Sequence, residues 1–251
     1  MRSSFGSGAG GAAFRPRRHR RIIPTVVGGV LALAFVGGAG TLYVLGGDNP
    51  ALFEGRVADV ERRFGGDYPQ NGILLTGSSF FERWTTSEAD LAPLDTVNVG
   101  IGSTKIGDQV AYVDRLVVPF HPRAVVVYAG SNDISGLPFF SKRGDDVAAR
   151  VVAYLEDLHA RLPEARLYYV AITEAPVRAG VRDQIQAAND LIAEYADSTD
   201  FVTFIDTAPS LLTPDGEIDS TLFGSDALHF NSLGYQKFAA AIRQVLIRDL
   251  S

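Results

Sequence analysis

From residue 71 onward, short apolar runs alternate with longer stretches in which apolar side chains recur every three or four positions. The runs 73–76, 96–99, 124–128, 167–171 and 201–205 are rich in Val, Ile, Leu and aromatics, and they read as buried strands. The stretches 106–117, 145–161, 181–196 and 233–247 carry helical spacing. A further helix is predicted over 51–64, where Gly65-Gly66 breaks it. Strand–helix alternation predicts a parallel sheet covered on both faces, in one three-layer domain over 71–251 with 48–70 as a connecting helical region. Ligands of such sheets bind beyond the C-terminal ends of the strands, so function is sought just after each apolar run.

The pattern changes before residue 48. Residues 22–47 contain no charged side chain and, as a helix, span roughly 39 Å, enough to cross a hydrocarbon core of about 30 Å with some tilt. Residues 1–21 carry Arg2, Arg15, Arg17, Arg18, Arg20 and Arg21 and no acid. This Gly/Ser/Arg-rich tail is expected to be disordered. Arginines before the apolar segment and Asp48 after it predict a cytoplasmic N-terminus, a single-pass anchor and a domain outside the cytoplasm. The rival is a signal sequence cut near Gly38-Ala39-Gly40, giving a secreted or periplasmic product. The apolar stretch exceeds the usual signal core of about 7–15 residues, which favours the anchor.

Charge and cysteine content narrow the function classes. The net charge of -6 hides an imbalance, since the chain beyond residue 21 holds 17 basic and 29 acidic residues. An acidic domain lacks the phosphate attraction that dominates nucleic-acid affinity, so no nucleic-acid partner is expected. Cysteine is absent, which excludes disulfides and thiol catalysis. Oligomeric state leaves no trace in the sequence.

The strand-end segments hold the candidate chemistry. The first run is followed by Gly77-Ser78-Ser79-Phe80-Phe81-Glu82-Arg83-Trp84, a tight turn with a serine opening a helix. Phe81 stands where the Gly-x-Ser-x-Gly elbow has its second glycine, so this is a different kind of turn. The second run leads into Asn98-Val99-Gly100-Ile101-Gly102-Ser103-Thr104, and the third into Gly130-Ser131-Asn132-Asp133. After the fifth comes Asp226-Ala227-Leu228-His229, whose spacing lets one turn supply both an imidazole base and the carboxylate that orients it. Taken singly, these fragments also suit an N-cap, a Gly-rich turn, an Asn-Asp turn and a helix-cap pair.

Their order and spacing together resemble the SGNH, or GDSL-like, hydrolase family of esterases and lipases, whose four blocks carry Ser, Gly, Asn and His. The resemblance runs from Asn71 to the C-terminus and points to a bacterial subgroup, here anchored or exported. It implies Ser79 as nucleophile, with Ser78 where the family usually has Asp. It implies His229 as general base and Asp226 as its orienting carboxylate. An oxyanion hole would comprise the N–H groups of Ser79 and Ser103 and the Asn132 amide. Without a gap the family glycine falls on Ser103, and a one-residue shift would make it Gly102. The expected fold is α/β: a three-layer α/β/α, flavodoxin-like domain with a five-stranded parallel sheet, preceded by one N-terminal transmembrane helix.

The implied activity is hydrolysis of carboxylic esters through an acyl-enzyme, on an extracytoplasmic acylated sugar or lipid, with no cofactor. Acyl transfer to a cell-envelope glycan and a catalytically silent binding domain are the alternatives, and fold alone does not separate them. The other histidines fit the base role less well. His121 enters the third strand at the wrong end of the sheet, His159 lies on an amphipathic helix, and His19 belongs to the tail. No second histidine stands at metal-ligand spacing, so no metal is expected. Phe80, Phe81, Trp84, Phe139, Phe140, Phe223 and Phe230 either line an acyl or sugar pocket or fill the core. Arg83 is a candidate ion-pair partner.

Overall fold

The computed structural model describes residues 47–250. The predicted tail over 1–21 and, apart from Gly47, the predicted anchor over 22–47 lie outside the described residues. Among those described, no helix is long and apolar enough to cross a membrane.

Five strands form one parallel sheet: β1 (Ile73–Gly77), β2 (Thr96–Asn98), β3 (Ala124–Tyr128), β4 (Arg166–Val170) and β5 (Val202–Ile205), in the order β2-β1-β3-β4-β5. Seven helices are used below: α1 (Glu54–Phe64), α2 (Ser79–Glu82), α3 (Ile106–Ala111), α4 (Val113–Leu116), α5 (Gly144–Arg161), α6 (Arg182–Asp197) and α7 (Ser232–Leu250). Every residue of β1 and β3 is buried, which is why both read as unbroken apolar runs rather than alternating ones. Alternate side chains still separate two cores. Leu74, Val125, Val127, Leu167 and Tyr169 pack with α1 and α3 to α6, while Ile73, Leu75, Val126, Tyr168 and Val170 pack with α2 and α7.

The strand order determines where a ligand sits. From β1 the chain crosses outward to β2, and from β3 it crosses the other way to β4. The loops leaving β1 and β3 therefore diverge and open a crevice at their C-terminal ends.

Three elements differ from the sequence pattern. The strand at 96–99 stops at Asn98, whose Oδ1 accepts the Gly100 N–H at 3.0 Å while Nδ2 donates to Phe81 O at 2.8 Å. An Asx turn thus replaces the last strand position. The helix over 106–117 is divided at Tyr112, whose hydroxyl donates to Pro50 O at 2.7 Å. The helix over 181–196 is preceded by a 3-10 helix, Pro176–Val181, where the Val177 N–H donates to Ala227 O at 3.0 Å.

Residues 48–70 pack into the first core through Val57, Val60 and Phe64. Arg115 forks between Glu54 and Glu61 at 2.8 and 2.6 Å, holding α1 against α4. The chain before α1 is also fastened. Asn49 N–H donates to the buried Asp108 at 2.6 Å, Arg150 pairs with Asp48 at 2.5 Å, and Lys105 Nζ donates to Gly47 O at 3.1 Å.

Candidate active site

The turn after β1 is shaped by crowding. A Cβ on Gly77 would stand 2.6 Å from Tyr128 O, so only glycine lets β1 end against β3 there. Ser78 N–H donates to the same carbonyl at 3.1 Å, and Ser79 opens α2 as a half-buried side chain. Helix α2 is a single turn, so it adds little dipole. Phe80, Phe81 and Trp84 are each 1% exposed or less, and they lock the turn onto the second core. The Trp84 indole N–H also finds Asp90 Oδ2 at 2.7 Å.

The imidazole arrives from the opposite end of the chain. Gly224 N–H donates to His229 O at 2.8 Å, and Asn231 caps α7 by accepting the N–H groups of Leu233 and Gly234. Between these ties Ala227 adopts φ +53°, bending Asp226 back toward the ring. His229 Nδ1 stands 2.7 Å from Asp226 Oδ2, and Nε2 stands 2.8 Å from Ser79 Oγ. Asp226 Oδ1 accepts the backbone N–H groups of Leu228 and His229 at 3.1 and 3.0 Å. Ser79, His229 and Asp226, separated by up to 150 positions, thus form one hydrogen-bonded line.

Burial pushes the Asp226 carboxyl upward, but the bond from His229 and the two backbone N–H groups outweigh it and hold it well below the usual carboxylate range. Burial lowers His229, the Asp226 bond opposes that, and Arg83 and Arg178 depress it further. The imidazole is thereby kept neutral, the state in which Nε2 accepts a proton. Arg83, weighed above as an ion-pair partner, donates to Asp226 Oδ2 at 3.2 Å.

Ser79 apart, the anion-stabilising candidates lie in the loops that leave β2 and β3. Asn132 Nδ2 donates one hydrogen to Thr104 O at 3.0 Å and keeps its second. Among the described residues, the N–H groups of Ser79, Gly102 and Ser103 have no protein acceptor. Ser103 sits at φ +69°, in the left-handed region glycine enters most readily. Gly102 passes close to Ser79: a Cβ there would come within 3.2 Å of Ser79 Cβ.

The remaining candidates separate cleanly. His121 precedes β3, at the far end of the sheet. His159 stacks on Phe201 with ring centroids 4.0 Å apart, rather than facing solvent alone. Phe223 and Phe230 are buried in the second core, whereas Phe139 is fully exposed. A groove of about 460 Å³ beside Arg83 is lined by Thr85, Thr86, Asp90, Asn231, Tyr235 and Gln236. Asp133, next to Asn132, is fully buried; burial raises it to about 6 against the opposing pull of the Ile106 N–H and Arg150. Among the described residues, no cluster of three His, Cys, Asp or Glu has the arrangement to hold a metal. The sequence pattern gave no sign of Arg178, which contacts Ser131 and Asn132; an arginine in Ala175-Pro176-Val177-Arg178 carries no spacing signal.

The family model that matches the chain, described as the GDSL-like Lipase/Acylhydrolase family, covers residues 65–237. No curated protein matches it. Among solved structures, an acylhydrolase candidate from Bacteroides fragilis superposes with a TM-score of 0.65 at 19% identity, covering 76% of this chain and 96% of its own. A GDSL-like lipase from Bacteroides thetaiotaomicron gives 0.61 at 18% identity, covering 80% and 98%. A catalytic mutant of an acetylxylan esterase from Geobacillus stearothermophilus gives 0.59 at 16%, covering 70% and 94%. At these identities the likeness concerns the fold.

Proposed function

Because the chain belongs to the GDSL-like lipase/acylhydrolase family, a class of ester-hydrolysing enzymes, we propose that it works through an acyl-enzyme on Ser79. His229 Nε2 takes the Ser79 proton as Oγ attacks the ester carbonyl. Asp226 holds the ring with Nδ1 protonated and stabilises the imidazolium that forms. The tetrahedral oxyanion is received by the free N–H groups of Ser79 and Ser103, or Gly102, and by the second Asn132 hydrogen, donors worth on the order of 3–4 kcal/mol each in the transition state. His229 returns its proton to the leaving alcohol, then activates the water that releases the acid. The observation carrying this reading is the continuous 2.8 and 2.7 Å contact from Ser79 through His229 to Asp226. A silent binding domain has no need of that alignment.

A serine-reactive phosphonate tests it directly. Full-chain protein is expected to gain one adduct, mapped by mass spectrometry to the peptide containing Ser79, with ester turnover lost in proportion. An adduct elsewhere, or turnover that survives full labelling, overturns the assignment.

The substrate we propose is an acylated sugar or lipid outside the cytoplasm. The structural neighbour from Geobacillus is an esterase of acetylated xylan, and the groove beside Arg83 offers hydroxyl, amide and carboxylate groups suited to a polyhydroxylated leaving group. The external location rests on the uncharged stretch over 22–47 behind a basic tail. The full chain is expected to stay with membranes through an alkaline carbonate wash. A released product beginning near Gly40 would instead establish a cleaved signal.

A further inference from the structure

Arg178 is a buried cation, 8% exposed, carried by the 3-10 helix Pro176–Val181. Its guanidinium donates to Ser131 O, to Ser131 Oγ and, at 3.2 Å, to Asn132 Oδ1. Among the described residues, no carboxylate lies within ion-pair distance of it, and Asp133 acts on it only through space. An unpaired charge removed from water is costly, so a structural role alone accounts poorly for it. The segment holding it is also tied to the triad turn, since Val177 N–H donates to Ala227 O at 3.0 Å.

We propose that Arg178 is the positioning residue of the oxyanion hole, aiming the Asn132 amide and placing a positive charge behind it. The inference rests on the esterase reading above. An amide flipped about its terminal bond would present oxygen, not N–H, to the developing oxyanion. Arg178 prevents the flip from one side by donating to Oδ1, and Thr104 O prevents it from the other by accepting from Nδ2 at 3.0 Å. Donation into Oδ1 also polarises the amide and strengthens its remaining N–H as a donor. The cation's field extends to the imidazole. His229 is faced by Asp226 on its own turn, Arg83 from the end of α2 and Arg178 from the 3-10 helix, with Tyr128 and Tyr235 nearby; burial depresses it first, and Arg178 contributes in the same direction.

The test is a double-mutant cycle on the full chain with p-nitrophenyl acetate. Arg178→Met is expected to lower kcat by about 10- to 100-fold with KM within about 3-fold, the signature of a loss felt in the transition state. In an Asn132→Ala background the same change is expected to cost less than about 3-fold, because nothing remains to be aimed. The acid limb of kcat/KM should move to higher pH in Arg178→Met and stay in place in Arg178→Lys, which retains the charge without the fork. Equal losses in both backgrounds, or wild-type kcat in Arg178→Met, overturn the proposal. If Arg178→Met fails to fold, Arg178→Lys alone decides, through reduced kcat at an unchanged acid limb. Should Ser79→Ala match wild type on the same ester, it is the esterase reading that fails instead.

Discussion

Ser79→Ala is expected to reduce kcat on a short-chain nitrophenyl ester by at least about 10⁴-fold, while leaving the fold intact. The size follows from what the hydroxyl does in the proposed mechanism. It is the atom that bonds to the acyl carbon, so without it His229 can only activate water against a carbonyl that no nucleophile holds. The remaining rate would come from the oxyanion donors and from binding. Folding should be nearly indifferent, because Ser79 is half-buried and its hydroxyl meets one side chain, His229. A melting shift below about 3 °C is expected for a domain of this size. The triad acts as a unit, so His229→Ala added to Ser79→Ala should bring little further loss. Equal rates for wild type and Ser79→Ala, after exclusion of contaminating esterases, would sink the mechanism.

Asp226→Asn should come second, with a loss of about 10³- to 10⁴-fold in kcat. The geometry indicates which way the new amide would turn. Two backbone N–H groups converge on Oδ1, so the amide oxygen is held there and the NH₂ falls at the Oδ2 position. That NH₂ faces His229 Nδ1 and Arg83 Nη1, formerly 2.7 and 3.2 Å from an acceptor. The ring must then accept at Nδ1 and carry its proton on Nε2, which cannot take the Ser79 proton. Arg83→Gln is the control: the Arg83–Asp226 pair is half-exposed, and removing it should change kcat by no more than about 3-fold. Activity of Asp226→Asn within tenfold of wild type would mean that the carboxylate does not orient the base.

The sheet could be read from the sequence because its central strands β1 and β3 are buried on both faces, and short unbroken apolar runs such as 124–128 arise in few settings besides a covered strand. Ser79, Asn132, Asp226 and His229 stood out because their strand-end positions and chain order together resemble the blocks of one hydrolase family. What escaped depends on side chains from unrelated segments. Asn98 and Tyr112, where β2 ends and the helix divides, also bond to Phe81 and Pro50, partners 17 and 62 positions away. Arg178 escaped for the same reason: its partners Ser131 and Asn132 lie 47 and 46 positions back, and no periodicity relates them. Local pattern reports burial, whereas the aim of a polar group is a property of the assembled fold.

Residues 47–49, the first described residues, are fastened to the domain they lead into. Asn49, Asp48 and Gly47 are gripped by Asp108, Arg150 and Lys105, and Arg150 Nε lies 3.8 Å from Asp133, the neighbour of Asn132. The described chain therefore begins beside the loop that carries Asn132. A domain on a loose tether searches a volume set by tether length, and its local concentration at a surface falls as the tether grows. Residues 47–49 add no such slack, because their bonds make them move with the domain. Inserting a flexible segment between Asn49 and α1 would exchange that fixed entry for a diffusive one.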